Sequence, residues 1–550
     1  MKSFQIFAIT LVIILSIFGC RKDTDNQNTK PPVKTETPKL GEVDFKVTGD
    51  EAAQPYFKKG LLLLHSFEYE DARAEFLKAQ ELDSTFAMAY WGEAMTFNHS
   101  LWQRQKQEEG VAALNKLAAN PIERMELVKT PLEKDFFQAI ELLYGDGTKY
   151  ERDVAYKNKM ERLVKKYPGN HEVSAFYAIS LLGASRSGRD EELYAKSAQI
   201  AQDIIKENAN HPGALHYLIH SFDDPEHAHL ASFAADAYSK VAPDAAHALH
   251  MPSHIYVALG KWNEVVTSNI ASWNASVKRM KDKDLDNDAQ SYHALNWLQY
   301  GLYQKGNIDL GNKLLEKMIQ YQKDTDSKSA RGYLIAMKAG HLIETNSWDS
   351  PLVDLEIKTD DLNIMTKGAF DFLDGMQAYH QQNATALNTV ITKVEKRRKK
   401  AEVKLGNQNF AMCNAGGYAN KLPSRLDIDM YKIMELELKA YEATLNKDFK
   451  LAEKHLKKAT ALDDTLKYAF GPPRIVKPVH EAYGEWLLTQ DRPKEALEMF
   501  EKSLKRYPGR LLSLQGGKAA ATLAKDEKAL NRMNKELSIS TLEMEYATIN

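Results

Sequence analysis

The sequence predicts an all-α chain, a right-handed solenoid of stacked helix-turn-helix units, on three observations. From Pro55 onward apolar residues recur at three- and four-residue spacings without sustained strand alternation, the pattern of amphipathic helices. Related segments return at an offset of 34 residues, Tyr56 to Tyr90 and Gly60 to Ala94. Only 28 Gly and 18 Pro punctuate 550 residues, thin punctuation for the three or four compact domains that such a length would otherwise suggest.

Composition narrows the function classes. Charged residues make up 27% and hydrophobic residues 43% of the chain, which excludes disorder, collagen or a multi-span membrane protein as the main architecture. Lys plus Arg number 73 against 75 Asp plus Glu, a net charge of -2, so no global electrostatic argument supports a nucleic-acid partner. The basic run Lys393 to Lys404 reads as a solvated helix face. Two cysteines build no disulfide framework, so stability rests on packing.

The first element is an apolar run, Phe4 to Phe18, behind Lys2. It is shorter than the roughly 20 residues a spanning helix needs and fits the core of a secretory signal over residues 1–19. Ile17-Phe18-Gly19-Cys20 resembles the lipobox of bacterial lipoproteins, with Phe18 bulkier than the residue usual there. The resemblance implies that Cys20 is acylated and becomes the mature N-terminus, which leaves Cys413 as the only free thiol. Residues 20–44, with Pro31, Pro32 and Pro38 and almost no large apolar side chains, read as a disordered tether. Arg21 stands where an inner-membrane retention aspartate would, so the expected location is the outer membrane of a cell envelope.

The next elements are the repeats. Tyr56, Gly60, Ala72, Phe76, Ala79 and Ser84 show the spacing of the tetratricopeptide repeat, and the N-terminal units resemble that family. Small residues at Gly60 and Ala72 let paired helices approach, and Phe76 fills the gap to the next unit. Gly484, Ala496, Phe500, Ser503 and Pro508 repeat the offsets near the C-terminus, with Pro493 opening a helix. Between them, Gly260-Lys261-Trp262, Gly306-Asn307-Ile308 and Lys447-Asp448-Phe449 mark turns within weaker units. The organisation expected is therefore N-terminal repeats over 45–280 with a His-rich segment at 211–254, divergent central repeats over 281–445, and C-terminal repeats over 446–550. Lys281 to Asp288 and Lys399 to Asn420 read as interruptions at the rim. Stacked units of this kind present an inner binding surface.

The residues that carry chemistry are histidines. Sixteen over 550 residues would place about one in any 44-residue window, yet His211 to His254 holds eight. Ala214-Leu215-His216-x3-His220 returns as Ala248-Leu249-His250-x3-His254, 34 residues on. Histidines four apart share a helix face, and equivalent positions on successive repeats lie side by side, so four imidazoles converge. The H-x3-H spacing suits a divalent transition metal such as zinc; buried histidines held by neighbouring carboxylates or carbonyls satisfy the same pattern. His247 extends the face by one turn, and Asp223, Asp224 and Glu226 are candidate ligand or orienting groups. Pro252 between His250 and His254 predicts a break in that helix. A cluster of this kind is expected on the inner groove and partly solvated.

The segments HPGALHYLIHSFDDPEHA and HALHMPSHIYVALGKW, together with AMAYWGEAM and Gly471-Pro472-Pro473, resemble a subfamily of bacterial tetratricopeptide-repeat lipoproteins. The resemblance implies a binding role, with some such proteins encoded beside polysaccharide-degradation systems. Trp91, Trp102, Trp262, Trp273, Trp297 and Tyr300 read either as stacking platforms for a sugar or as inter-helix core. The functional expectation is a lipid-anchored scaffold that holds a protein segment or oligosaccharide. The alternative is a metal-dependent hydrolase on His216, His220, His250 and His254, with Asp224 or Glu226 as base. Neither a G-x-S-x-G turn, an H-E-x-x-H pair nor a phosphate-binding glycine loop occurs in the sequence.

Overall fold

In a computed structural model of the chain, the described residues are 38–185, 188–405, 422–541 and 544–550. The apolar leader, Cys20 and Cys413 lie outside them. Residues 39–550 gather into one compact unit. The unit is a right-handed α-solenoid of stacked helix-turn-helix repeats. No helix among the described residues is long and apolar enough to cross a membrane.

The first hairpin pairs Gln54–His65 with Tyr69–Leu82, and its C-terminal counterpart pairs Val479–Thr489 with Pro493–Arg506. Both are built around one aromatic wedge. A Cβ on Gly60 would lie 2.8 Å from the Phe76 ring, and one on Gly92 of the next repeat would overlap the same ring. Phe500 sits between Gly484 and Gly516 in the same manner. The glycines thus set how closely successive repeats stack, and the buried phenylalanine fills what remains. The turns at Gly260, Gly306 and Lys447 fall between paired helices and are left-handed, with φ of 67°, 74° and 60°.

The central region departs from the pattern at one predicted interruption, Lys281 to Asp288, and at one place that was not predicted, while most of Lys399 to Asn420 lies outside the described residues. The helix Trp262–Asp282 runs on for 21 residues before a turn through 283–291. After Lys328–Thr345 the second helix of a hairpin is replaced by an irregular stretch around Pro351–Asp354. Lys393, Arg397 and Arg398 of the basic run pair with Asp371, Asp374, Glu402 and Glu435.

The solenoid curls far enough for late repeats to touch central ones. Trp262 Nε1 donates to the Gly509 carbonyl at 2.8 Å, across 247 residues of sequence. Gly260 and Gly509 meet there, and a Cβ on Gly260 would stand 2.7 Å from the Pro508 carbonyl. Arg510, fully buried, joins Glu481 of its own repeat to Glu344 at 2.6 Å and the Tyr300 hydroxyl at 3.0 Å. At the other end the described chain is already packed at Leu40, ahead of the tether boundary expected at residue 44. Leu40 and Val43 are buried, and the Glu42 amide donates to the Asn210 carbonyl. Trp91, Trp262, Trp273, Trp297 and Tyr300 are all buried inter-helix residues, which is the core reading of those aromatics.

Candidate functional site

His216 and His220 stand on the helix Pro212–Ser221. The equivalent helix of the next repeat is split into Ala246–His250 and Pro252–Ala258, with Pro252 in the first-turn position that tolerates its missing N–H. Met251 at the join keeps helical angles, φ -53° and ψ -37°, so the break leaves His250 and His254 on one face. Their ring centroids are 5.2 Å apart.

Five rings form a closed circuit. Centroid separations are 5.0 Å for His216 to His220, 5.1 Å for His220 to His254, 6.2 Å for His250 to His247 and 5.1 Å for His247 to His216. A sixth ring, His293 on the helix Tyr292–Gln304, lies 4.5 Å from His250. Donor atoms of His216, His220 and His247 fall within 4.8 Å of one another, and so do those of His250, His254 and His293. The four histidines predicted to converge do so, His247 joins them, and His293 was not anticipated.

Five of the six rings are contacted from behind at Nδ1. His216 Nδ1 contacts the His65 carbonyl at 2.8 Å, and His250 Nδ1 contacts Asn269 Oδ1 at 2.7 Å. Asp223 Oδ2 receives both His220 Nδ1 and His254 Nδ1, each at 3.2 Å. Asn269 donates its own amide to the Val265 carbonyl, so its oxygen faces His250. In these four contacts the three partner oxygens, of His65, Asn269 and Asp223, only accept. The proton therefore sits on Nδ1, and Nε2 carries a lone pair. His293 Nδ1 meets the Tyr333 hydroxyl at 3.3 Å.

The inward atoms have no such partner. Nε2 of His216, His220, His247, His250, His254 and His293 is buried in each case without a hydrogen bond. An unsatisfied buried polar atom costs about 1–3 kcal/mol. Six together rival the roughly 5–15 kcal/mol that keeps a domain folded. Burial pushes His254 down to about 4 and His293 to about 3, and pushes His216, His247 and His250 well below the ordinary imidazole value, with neighbouring histidines adding to the effect. Burial would raise the Asp223 carboxyl, but the bonds from His220 and His254 outweigh it and hold it below the usual range.

An apolar shell completes the site. Phe67, a non-glycine residue held at φ 57°, places its ring 4.3 Å from His216 and 5.6 Å from His247. Such a backbone is costly for a bulky residue and concentrates at functional sites. Trp297 stands 4.7 Å from His254 and 4.8 Å from His250. Phe470 stacks on His254 at 5.1 Å. It comes from the irregular segment 464–478, where Gly471 lets the backbone press against Trp297.

Three expectations are corrected here. The cluster is buried rather than partly solvated, because Phe67 and the 464–478 segment close over it; His216, His220 and His254 have no exposed surface. Asp224 does not reach it. Its carboxylate binds Arg189 at 2.8 Å and His227 at 2.9 Å. Glu226 is exposed and gives only its amide, to Asp224. The bases named for the hydrolase alternative are thus turned away from the four histidines, and Asp223 is the single acid of the three at the cluster.

His211, one turn before His216, belongs to a second group. His65 Nε2 meets Glu172 Oε2 at 2.7 Å, and His211 Nε2 meets Oε1 at 3.1 Å. His65 Nδ1 reaches the Tyr217 hydroxyl at 2.9 Å, and His211 Nδ1 accepts the Ala214 amide at the helix start. Every ring nitrogen there has a partner. Burial opposes ionisation of Glu172, but the two histidines hold its carboxyl far below the usual value.

Beside the cluster, a cavity of about 140 Å³ opens between the helices Tyr292–Gln304, Lys328–Thr345 and Ile364–His380. His293 and Trp297 form its boundary with the histidines, and Tyr300, Glu344, Asn363 and Arg474 contribute polar groups.

No protein-family model matches the chain, and no curated protein matches it. Solved structures with comparable stacked helices include the yeast Tom70 protein, at 14% identity over 88% of this chain and 99% of that one, with a TM-score of 0.30. The human IFIT1 dimer with m7Gppp-AAAA matches at 12% identity over 90% of each chain, TM-score 0.33. The Cut9–Hcn1 hetero-tetramer of APC/C matches at 12% identity over 87% of this chain and 78% of that one, TM-score 0.35. The tetratricopeptide-like character rests on the chain's own hairpins and their glycine-flanked wedges.

Proposed function

We propose that the protein is a tetratricopeptide-like scaffold of the bacterial cell envelope, tied to the outer membrane through acylated Cys20 and holding a protein segment or an oligosaccharide on its inner surface. Its resemblance in the histidine segments to repeat lipoproteins supports an accessory role in polysaccharide utilisation. The observation that carries the binding role is the cavity beside His293 and Trp297. It combines apolar walls, Ile335 and Ala339 among them, with the convergent polar groups of Glu344, Asn363 and Arg474, the composition of a ligand pocket. Its volume suits one side chain or one sugar ring of a longer ligand.

Calorimetric titration with a panel of peptides and oligosaccharides tests the reading. Saturable binding of one class, lost when Ala336→Trp fills the cavity, is the expected result. Binding that persists in the filled variant, or no binding by either class, contradicts it. The anchor is tested separately: Cys20→Ser is expected to move the protein from the membrane to the soluble fraction of a bacterial host, and unchanged fractionation rejects the lipid.

A further inference from the structure

We propose that the six clustered histidines bind two late first-row transition-metal ions, one on His216, His220 and His247 and the other on His250, His254 and His293. In four of the rings an acceptor-only oxygen fixes the proton on Nδ1, so each Nε2 must accept. No protein donor meets any of the six Nε2 atoms. A set of buried acceptors facing one another is what a cation requires and what packing alone avoids.

The donor set selects the ion. Every residue of the two trios offers an imidazole nitrogen, and one ring nitrogen from each member of a trio falls within a 4.8 Å span. Calcium and magnesium take oxygen ligands, whereas neutral imidazoles suit zinc and copper. Asp223 bridges the two trios from behind, through Nδ1 of His220 in one and Nδ1 of His254 in the other. It is a positioning residue, in the outer role that carboxylates play behind metal-bound histidines. His293 opens the second trio to the cavity, which provides a path for entry.

The full chain, stripped with a chelator, is incubated separately with zinc and copper(II) salts, desalted and analysed for metal. Two equivalents of at least one of these ions are expected to remain, one for each trio. His216→Ala and His254→Ala should each retain one equivalent, the double variant none, and His211→Ala both. Asp223→Asn should weaken binding about 10–100-fold while His211→Ala leaves it unchanged. Retention of neither ion by the wild type, a single equivalent, or undiminished metal in the double variant overturns the assignment. Should the variants fail to fold, X-ray absorption of the loaded wild type decides: a first shell of nitrogen or oxygen at about 2.0–2.1 Å around zinc is expected, and a sulfur shell overturns it.

Discussion

The group of His65, Glu172 and His211 and the cluster of six histidines meet at the helix Pro212–Ser221, which His211 caps, are both largely buried, and touch where His216 Nδ1 meets the His65 carbonyl. In the first group a carboxylate sits between two imidazoles and closes every bond. In the second the carboxylate of Asp223 stands outside, and the rings turn their lone pairs toward one another. Position explains part of this. Where the later repeats carry His247 and His293 at the head of His-Ala-Leu, the earlier one has Gly213, and a Cβ there would run into the His65 ring. One site is therefore filled by the protein itself, while the other is shaped for something that the protein does not supply. Self-satisfied histidines hold a fold together; oriented but unsatisfied ones hold a ligand.

The largest effect expected from breaking this contrast is at Glu172. Glu172→Ala leaves two buried imidazoles without their shared acceptor, and loss of one member of a buried ion pair costs about 3–5 kcal/mol. Urea denaturation of metal-free protein should show that loss; a change below about 1 kcal/mol would mean that the group is not structural.

Glu437 offers a third way of burying a titratable group. Both its carboxylate oxygens lack partners, and burial, reinforced by Asp463, raises its pKa well above the ordinary value. The folded form thus keeps a proton that the unfolded form releases above about pH 4.3. Stability falls as pH rises from there, by up to about 1.4 kcal/mol per unit, until the native group also ionises. Glu437→Gln should flatten that slope between pH 5 and 7 in thermal unfolding, and an unchanged slope would show that the carboxyl is not protonated in the fold.

The smallest effect is expected at the cluster without metal. His216→Leu removes one unsatisfied nitrogen but also the donor to the His65 carbonyl, two opposing effects of about 1–3 kcal/mol each, so metal-free stability should change by less than about 1 kcal/mol. At a thousandfold excess of metal over the dissociation constant the wild type gains roughly 4 kcal/mol for each occupied site, and the variant should lose the gain of one of its two sites. Equal stabilisation of both proteins would place the ion elsewhere.

Much of this was legible in the sequence. The 34-residue offset of two His-x3-His pairs shows their convergence, because equivalent positions on stacked repeats are neighbours whatever the rest of the chain does. His293 was hidden by register. The long helix to Asp282 and the turn through 283–291 push it 46 residues beyond His247, although His293-Ala294-Leu295 repeats the triplet at His247. Asp224 and Glu226 looked equivalent to Asp223, but Arg189 and solvent claim them. The closure of the site was not legible either. Phe67 and Phe470 meet the histidines only because the solenoid curls back on itself, a consequence of many small rotations between repeats.

The central contrast is tested most directly by diffraction from crystals of the protein loaded with zinc or copper, recorded at the absorption edge of the metal. The account predicts two anomalous peaks, one among His216, His220 and His247 and one among His250, His254 and His293, with none between His65, Glu172 and His211. A peak at Glu172, or none within the six-histidine cluster, would contradict it.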